Sequence, residues 1–360
     1  MVEHRIKVLL VARNIDKQYF KGFTRYTLGL FGELNKLCNV TMVNVSINES
    51  KIGYSKELQA LIPVQTIFKL AHKEYRHYDI IHSLDPFLGA FLPFLFQNTV
   101  VTFHDLVPLT LRGKWKHESF IQAYHHMIYK SASLNKRIIA GSTQTKNELI
   151  KILRTPADKI DIISSGGVEK KFIPLAIRSK SVPTLGYFGN FCQRKRVDLA
   201  IETYRKIKSN GFNCQLILAG GNIDEPSKKR FDVGELTKGL QDVTTLDFVP
   251  EDQIVDLYNK FDILLCTSDT EGFGLHIPEA QRCGIPVLVR RQAAIPEEVK
   301  YATIQCDSTD EMANQAKRLL TDHHYYQEVR ERGMSYSSIF NWENIAKDTM
   351  VVYEKILAKR

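Results

Sequence analysis

Short apolar runs rich in β-branched residues alternate with longer amphipathic segments along the whole chain. In the segment Leu199–Lys208, for example, Ile201 and Tyr204 fall on the same face of a helix. Nearly continuous apolar strands that alternate with helices are typical of parallel sheets covered on both faces. The pattern predicts two successive series of strands: Arg5–Val11, Val40–Val45, Ile80–His82, Thr99–Phe103, Arg137–Ala140 and Ile160–Ile163, then Thr184–Phe188, Gln215–Ala219, Thr244–Phe248, Ile263–Thr267, Pro286–Arg290 and Thr303–Gln305. Two such series indicate two doubly wound α/β domains.

The chain length agrees with this organisation. At a prior of about 150 residues per domain, the 360 residues suffice for two halves that each bury a core. The stretch between Pro174 and Pro183 carries prolines and basic residues without a clear period, so the boundary is expected there. The predicted domains are residues 1–178 and 179–342, and Trp342–Leu357 is predicted to form a separate amphipathic helix.

Composition excludes several classes of protein. With 44% hydrophobic and 25% charged residues, the chain is neither a disordered tail, nor a rod, nor a disulfide-stapled mini-protein. The six cysteines follow no C-x-x-C spacing, so they are expected to be buried free thiols in a reducing compartment. The start of the chain, Arg5–Val11, predicts a strand rather than a secretory signal, which favours a cytoplasmic location.

The net charge of +9 favours anionic partners: nucleic acid, acidic lipid, or small molecules that carry phosphate. The longest apolar stretch, Phe87–Phe96, is too short to span a bilayer and predicts a buried helix. A peripheral contact with an anionic membrane is the alternative, because basic residues lie on both sides of the stretch. These residues are Lys69, Lys73, Arg76, Arg112, Lys114 and Lys116.

Ligands of open parallel sheets bind beyond the carboxyl ends of the strands, so the residues that follow each strand are the candidates. Gly22 follows the first strand and precedes a helix, where a glycine lets the backbone approach an anion closely. A simple turn glycine explains Gly22 equally well. His104 and Asp105 follow Thr99–Phe103 and could bind sugar hydroxyls or move protons, or be an ordinary core or solvated pair.

A basic turn follows the strand Thr184–Phe188. Gly189 opens the turn, and Arg194, Lys195 and Arg196 stand at the mouth of the next helix. Cations and free helix N–H groups suit a diphosphate, and without an anion the cations would oppose the helix dipole. The turn is neither a G-x-G-x-x-G nor a Walker sequence, so NAD and P-loop binding lose support.

Two glutamates follow the strand Ile263–Thr267. Glu271 and Glu279 are separated by seven residues, and Pro278 suits the first position of the helix that carries Glu279. The loop Gly272–Leu275 can present free N–H groups to a phosphate or a sugar. A carboxylate can also accept hydrogen bonds from both hydroxyls of a ribose.

The segment from Glu271-Gly272-Phe273-Gly274-Leu275 to Glu279-Ala280 resembles the E-x7-E motif of retaining glycosyltransferases with the GT-B fold, specifically glycosyltransferase family 4. That fold consists of two Rossmann-like domains that face each other across a cleft. The resemblance extends through most of the chain and is supported by further segments: Gly22–Tyr26, Thr102–Asp105, Gly166–Val168, Leu246–Val249 with Leu257, Tyr258 and Asp262, and Trp342–Leu357, which resembles a terminal helix that returns to the N-terminal domain.

The resemblance implies a role for each matching residue. Lys195, together with Arg194 in the turn that Gly189 opens, would bind the donor diphosphate, and Glu279 would hold the ribose. Glu271 and the N–H groups of Phe273, Gly274 and Leu275 would hold the donor sugar.

The resemblance also implies contacts from elsewhere in the chain. His104 would contact the sugar from the other domain, and Gly22 would let that domain close on the diphosphate. The backbone of Val249 would meet the base. His104, Glu271 and Lys195 are the expected catalytic residues. Asn190 and Arg196 depart from the family, which often has Arg and Gly there.

The expected activity is the transfer of a hexose, with retention, from a nucleotide-sugar to a hydroxyl of a glycan or lipid-linked acceptor. GDP-mannose is the first candidate donor, a UDP-sugar such as UDP-glucose is the second, and no metal is expected. A nucleotide-sugar epimerase of the same fold is the alternative enzyme. A nucleic-acid-binding protein is disfavoured, because the cations are spread along the chain and no RNA-binding motif occurs.

Overall fold

The computed structural model describes residues 5–13, 21–45, 66, 70, 73–110, 118–175, 182–221 and 230–358. The chain divides into two compact units, one of Met1–Gly167 with Asn341–Arg360 and the other of Val168–Phe340. Each unit is built on its own parallel sheet, with its own hydrophobic core.

The first unit contains a six-stranded parallel sheet in the order β2-β1-β3-β4-β5-β6. Its strands are β1 (Lys7–Arg13), β2 (Asn39–Val45), β3 (Ile80–Ser83), β4 (Thr99–Phe103), β5 (Arg137–Ala140) and β6 (Ile160–Ile162). Its helices include α1 (Lys21–Leu37), α2 (Pro86–Gly89), α3 (Leu92–Leu95), α4 (Val107–Thr110), α5 (Glu118–Ala132) and α6 (Thr143–Leu153). In β1, Val8 pairs with Val40 on one side and with Ile80 on the other, so β1 is an interior strand.

The second unit contains a six-stranded parallel sheet in the order β12-β11-β10-β7-β8-β9. Its strands are β7 (Thr184–Phe188), β8 (Gln215–Ala219), β9 (Val243–Leu246), β10 (Ile263–Cys266), β11 (Val287–Arg290) and β12 (Ile304–Cys306). Its helices are α7 (Val197–Ser209), α8 (Val233–Thr237), α9 (Ile254–Asn259), α10 (His276–Arg282), α11 (Glu297–Lys300), α12 (Thr309–Thr321) and α13 (His323–Ser337) within the described residues.

Both faces of the second sheet are buried. Along β10, Ile263 and Leu265 join the core on one face, while Leu264 and Cys266 join the core on the other. A strand covered on both faces is apolar at every position, which is why these strands appear in the sequence as continuous apolar runs. Every predicted strand overlaps an observed one, so the prediction of two doubly wound sheets is confirmed.

The C-terminal helix α14 (Trp342–Leu357) packs against α1 in the first unit. Trp342 lies where two glycines leave room for its indole: a Cβ on Gly29 would stand 2.3 Å from the ring, and one on Gly167 would stand 2.4 Å from it. Farther along α14, the Tyr353 hydroxyl lies 2.7 Å from Nδ1 of the buried His82. The helix is therefore an integral part of the first core.

The division between the units differs from the expected boundary near residue 178, which itself lies outside the described residues. Val168 and Phe172 are buried in a core of the second unit together with Tyr258 and Phe340. Residues 168–175 therefore belong to the second unit because their apolar side chains pack there, before the proline-containing stretch is reached.

The stretch Phe87–Phe96, predicted to form one buried helix, forms two short ones instead. Pro93 lies in the first turn of α3, where a missing backbone N–H costs nothing. Because proline disrupts the interior of a helix, α2 cannot extend through Pro93 as one uninterrupted helix. The α2 residues are buried, whereas Phe94 in α3 is 66% exposed. Of the flanking basic residues, Lys69, Arg112, Lys114 and Lys116 lie outside the described residues.

Candidate functional site

The basic turn and the first glutamate segment meet at the carboxyl edge of the second sheet. The turn Gln193–Lys195 follows β7, and the segment around Glu271 follows β10, its neighbour in the sheet. Two hydrogen bonds tie the segments together: the Asp269 N–H donates to the Arg194 carbonyl at 2.8 Å, and the Thr267 hydroxyl donates to the Arg196 carbonyl at 2.8 Å. The tie brings residues that are more than seventy positions apart into one site.

Glu271 lies at the centre of this site and is only 7% exposed. One carboxylate oxygen accepts from Lys195 Nζ at 2.6 Å and from the Ser268 hydroxyl at 2.6 Å. The other oxygen accepts from Arg194 Nη1 at 3.1 Å, and the same guanidinium donates to the carbonyl of Thr270. A buried carboxylate requires such partners, because an unpaired charge is very costly away from water.

The electrostatics of the cluster favour an ionised glutamate. Burial raises the pKa of the Glu271 carboxyl, but the charges of Lys195 and Arg194 outweigh burial and hold this pKa well below its ordinary value. Beside the cluster, burial together with the charge of Lys195 lowers the pKa of His276 to about 4, so its ring is neutral at neutral pH. His276 Nε2 lies 3.2 Å from Cys266 Sγ.

The third cation of the turn, Arg196, has different partners. Its guanidinium forms an ion pair of 2.8 Å with Asp198 in the first turn of α7 and lies 3.5 Å from Asp269. Asp269 also forms an ion pair with Arg290, at the end of β11. The expected conflict between Arg196 and the α7 dipole is thereby relieved, because Asp198 supplies the negative charge that a helix start favours.

The helix that carries Glu279 begins two residues earlier than predicted. Helix α10 starts at His276, since the Glu279 N–H donates to the carbonyl of Leu275, the residue just before it, at 3.1 Å. Pro278 therefore lies in the first turn but not at its first position. Gly284 follows the end of the helix with φ +76°, as its predicted place beyond the last turn requires.

The loop before α10 offers backbone donors. Gly274 has φ +90°, a left-handed conformation that favours glycine. Within the described part of the chain, the N–H groups of Phe273, Gly274 and Leu275 donate to no backbone carbonyl. The Phe273 ring packs edge-on against Phe340 at 5.5 Å, so its side chain belongs to the core while its N–H stays in the loop.

Glu279 is the second buried carboxylate of this unit, at 2% exposure. The Tyr258 hydroxyl donates to Glu279 Oε2 at 2.9 Å. Val249, the residue expected to meet the base, is buried in the same core as Tyr258. At Gly189 an added Cβ would make only ordinary contacts, 3.6 Å from Lys195 Cδ and from the Tyr187 hydroxyl.

The two remaining candidates, His104 and Gly22, lie in the first unit. His104 Nε2 donates to the Leu84 carbonyl at 3.0 Å, and Nδ1 therefore accepts from the Ser165 hydroxyl at 3.1 Å. Burial lowers the pKa of His104, although the nearby Asp85 carboxylate opposes the shift. Gly22 lies in the first turn of α1, and a Cβ there would meet no atom within 4 Å.

Four contributors to the second-unit site were not among the sequence candidates: Ser268, His276, Arg290 and Tyr258. Ser268 directly follows a predicted strand, so the rule that ligands bind beyond the carboxyl ends of parallel strands points to Ser268 as well as to Glu271. Arg290 ends a predicted strand. No local pattern indicates that Tyr258 meets Glu279, because that contact depends on how α9 packs beside α10.

Across the described ranges, no group of three or more His, Cys, Asp or Glu side chains is arranged to hold a metal ion. None of the helices in those ranges is both long enough and apolar enough to cross a membrane.

Two protein-family models match the chain, one in each half. Residues 10–166 match Glycosyltransferase Family 4, and residues 182–322 match Glycosyl transferases group 1. Together the two matches account for most of the chain.

Solved structures share the fold over nearly the whole length. Sucrose-phosphate synthase from Thermosynechococcus elongatus superposes with a TM-score of 0.77 at 19% identity, covering 99% of this chain and 100% of that one. Anabaena HepE in complex with UDP-glucose superposes with a TM-score of 0.69 at 16% identity, covering 99% and 100%. The two six-stranded sheets are thus those of the GT-B glycosyltransferases.

Among curated sequences, the O-antigen chain mannosyltransferase B of Escherichia coli is 25% identical over 377 residues, which covers 97% of this chain and 93% of that protein. With both halves matched by glycosyltransferase models, the chain belongs to the family-4 glycosyltransferases of the GT-B fold and is a transferase enzyme.

Proposed function

We propose that this glycosyltransferase moves a hexose from a nucleotide-sugar to a hydroxyl of a glycan or glycolipid, with retention of configuration at the anomeric carbon. Mannose carried by GDP is the favoured donor. A UDP-sugar such as UDP-glucose is the alternative.

The contact between Lys195 and Glu271 carries the proposal. In a nucleotide-sugar, the sugar is bonded directly to the diphosphate, so a protein needs its groups for sugar and for phosphate side by side. Lys195 Nζ lies 2.6 Å from Glu271 Oε1. A cation suited to phosphate and a buried carboxylate suited to sugar hydroxyls are therefore neighbours at one sheet edge.

The proposed reaction breaks the bond between the sugar and the diphosphate, and negative charge grows on the leaving nucleoside diphosphate. Lys195 and Arg194 stabilise that charge, while Glu271 accepts hydrogen bonds from the sugar. Because Glu271 also pairs with both cations, it holds them at the sheet edge before the donor binds. The N–H groups of Phe273, Gly274 and Leu275, which donate to no backbone carbonyl of the described residues, complete the proposed sugar site.

The remaining roles rest on the family resemblance. Glu279 binds the ribose, the Val249 backbone meets the base, and the Gly189 turn leaves room for the diphosphate. His104 and Gly22 contact the donor as well. In this assignment His104 acts as a neutral imidazole, in keeping with its lowered pKa.

The choice of mannose rests on a relative whose name specifies it, the mannosyltransferase B that aligns with 97% of this chain. HepE, which shares the fold, is solved with UDP-glucose, and this supports the UDP-sugar alternative. The acceptor proposal rests on the same mannosyltransferase, whose name specifies an O-antigen chain.

A thermal-shift panel of GDP- and UDP-sugars, with and without Mg²⁺, tests the donor, because a ligand that binds the native state raises the melting temperature. We expect GDP-mannose to give the largest shift, and Lys195→Ala to abolish both this shift and sugar transfer. Release of an altered sugar without any acceptor would indicate an epimerase instead. If no nucleotide-sugar stabilised the protein selectively, the proposed function would be wrong.

We further propose that the enzyme works in the cytoplasm against an anionic membrane surface that presents a lipid-linked acceptor. The first unit exposes the side chains of Phe94, Phe120, Met127 and Leu134, and exposed apolar side chains suit contact with such a surface. Cosedimentation with phosphatidylglycerol vesicles, but not with phosphatidylcholine vesicles, is the expected result. Absence of binding to both would refute this part.

A further inference from the structure

A buried lysine holds the loop that follows β11. Lys300, the last residue of α11, keeps only 5% of its side chain exposed. Its Nζ donates to the carbonyl of Arg291 at 3.3 Å and to that of Ala293 at 3.4 Å, and it pairs with Glu297 Oε1 at 2.7 Å. An ammonium has three N–H donors, so these acceptors match its donors in number. Residues 291–296, called the β11 loop below, are thereby bound to α11.

The other side of the β11 loop borders the first glutamate of the site. The Ala294 N–H donates to the Asp269 carbonyl at 2.8 Å, and the Glu271 N–H donates to the Ala294 carbonyl at 3.0 Å. The Thr270 hydroxyl donates to the same carbonyl at 3.1 Å. These bonds form a short parallel bridge between Thr270 and Ala294. The backbone position of Glu271 therefore depends on Ala294.

One peptide group joins the two sets of bonds. The Ala293 carbonyl, which accepts from Lys300, and the Ala294 N–H, which donates to Asp269, belong to the same peptide unit. A peptide unit is planar, so fixing the direction of its C=O also fixes the direction of its N–H. A hydrogen bond from a charged donor is stronger than one between neutral groups. Lys300 is thus linked to the segment of Glu271 through one rigid unit.

We propose that Lys300 is a positioning residue for sugar transfer: by binding the β11 loop, it holds the backbone of Glu271 where the carboxylate meets the donor sugar. This inference rests on the proposed function, in which Glu271 and the N–H groups after it bind the sugar. Lys300 itself contacts no ligand. Without its ammonium, the peptide between Ala293 and Ala294 turns, and the Glu271 N–H loses its fixed acceptor.

The alternative is that Lys300 only stabilises the second unit. Both roles predict some loss of stability when the ammonium is removed, so stability does not separate them. They differ in one ratio: the affinity for a nucleotide-sugar divided by the affinity for its nucleoside diphosphate. A displaced Glu271 weakens the contact with the sugar, whereas the diphosphate is bound in this proposal by Lys195, on the turn after β7. Only a residue that acts through Glu271 on the sugar changes this ratio.

The experiment uses Lys300→Met, which keeps a long apolar side chain and removes the ammonium. Lys300→Gln is a milder second variant, because its amide keeps two N–H donors. Lys206→Met is the matched control, since Lys206 of the same unit also has three acceptors. They lie on α7 or α12 and are Thr309 Oγ1 at 2.8 Å, Asp310 Oδ2 at 2.7 Å and Glu202 Oε1 at 3.1 Å.

Two measurements are made on each full-length protein. Amide hydrogen exchange follows the N–H groups of Glu271 and Ala294, with β8 as the internal reference. Calorimetric titration measures the binding of GDP-mannose, GDP, UDP-glucose and UDP. Glu271→Gln, titrated with the same four ligands, tests the sugar role of Glu271 itself.

We expect Lys300→Met to speed exchange at Glu271 and Ala294 about tenfold, the effect of losing a hydrogen bond from a charged donor, and to leave β8 unchanged. The affinity for the nucleotide-sugar that wild-type protein binds should fall about tenfold, the loss typical of one hydrogen bond to a charged group. The affinity for the matching nucleoside diphosphate should stay the same. Lys300→Gln should shift both readings in the same direction by less, and Lys206→Met should keep the wild-type ratio and exchange.

An unchanged affinity ratio in Lys300→Met, even with faster exchange, would overturn the inference, and so would an equal rise of exchange in β8. If Lys300→Met did not fold, a wild-type ratio in Lys300→Gln would overturn it instead. If Glu271→Gln kept the wild-type ratio, the sugar role of Glu271 would fail, and the inference with it. If wild-type protein bound none of the four ligands, the proposed function would fail first, and exchange alone would report on the contact between Lys300 and the β11 loop.

Discussion

Replacing Glu271 with glutamine tests the charge cluster at the sheet edge, because the change keeps the shape of the side chain and removes its charge. Breaking a buried ion pair by removing one partner costs about 3–5 kcal/mol. Lys195 keeps 15% of its side chain exposed and Arg194 keeps 26%, so both cations recover some hydration. We therefore expect Glu271→Gln to lower the free energy of unfolding of the second unit by about 3 kcal/mol, at the low end of that range.

The Lys195→Met substitution closes a double-mutant cycle. Once Lys195 is absent, Glu271→Gln leaves only Arg194 without its partner. The double variant should therefore lose less free energy of unfolding than the two single variants added together, and the difference, the coupling energy, should be about 1–2 kcal/mol. The urea dependence of amide hydrogen exchange in β7 and β10 peptides measures the stability of this unit separately from the other.

The control is Glu235→Gln, which breaks an exposed pair with Lys238 at 3.5 Å in the same unit. Exposed pairs contribute little, so no measurable change is expected there. Additive effects of Glu271→Gln and Lys195→Met, within about 0.5 kcal/mol, would refute the reasoning that these two charges stabilise each other.

Three further outcomes are expected. Gly274→Ala places a side chain on a backbone with φ +90°, so it should lower the free energy of unfolding by about 1–2 kcal/mol and weaken donor binding. Gly22→Ala has open space around its Cβ, so it should leave the melting temperature unchanged and lower sugar transfer alone. Trp342→Ala should lower the free energy of unfolding of the first unit by about 3–5 kcal/mol, measured by denaturant titration; a loss under 1 kcal/mol would contradict the packing of its indole between two glycines. Burial lowers the pKa of His82 to about 3, below its ordinary 6.5, so the unfolded chain binds more protons and stability falls as the pH drops through 6.5. From pH 7 to pH 5 this amounts to about 2 kcal/mol, and His82→Gln should flatten the pH dependence of first-unit unfolding by that amount.

The strands and their burial could be predicted from the sequence because they follow from short-range patterns. A strand buried on both faces must be apolar at consecutive positions, and β10 has that composition whatever its neighbours are. The positions of Lys195 and Glu271 could be predicted for a related reason: polar residues that directly follow a buried parallel strand emerge at its carboxyl end.

The sequence pattern did not predict where one long apolar stretch breaks or where a helix begins. The pattern predicts one buried helix over Phe87–Phe96, yet a new helix begins at Leu92 with Pro93 in its first turn, and the Phe94 ring is exposed. Helix α10 begins at His276 because the Leu275 carbonyl already accepts the first helical hydrogen bond, from the Glu279 N–H. Both outcomes depend on local backbone geometry that the period of apolar residues does not resolve.

From the sequence alone, this chain can be assigned two parallel sheets, their strands, and the two segments that carry the candidate chemistry, because each of these follows from residues close together in the chain. Only the tertiary structure decides that β7 lies beside β10, and hence that Lys195 meets Glu271. It also decides that Arg196 pairs with Asp198 and that Tyr258 donates to Glu279. The order of strands and the packing of helices depend on how all the apolar surfaces of a unit are buried at once, and no local pattern specifies that arrangement.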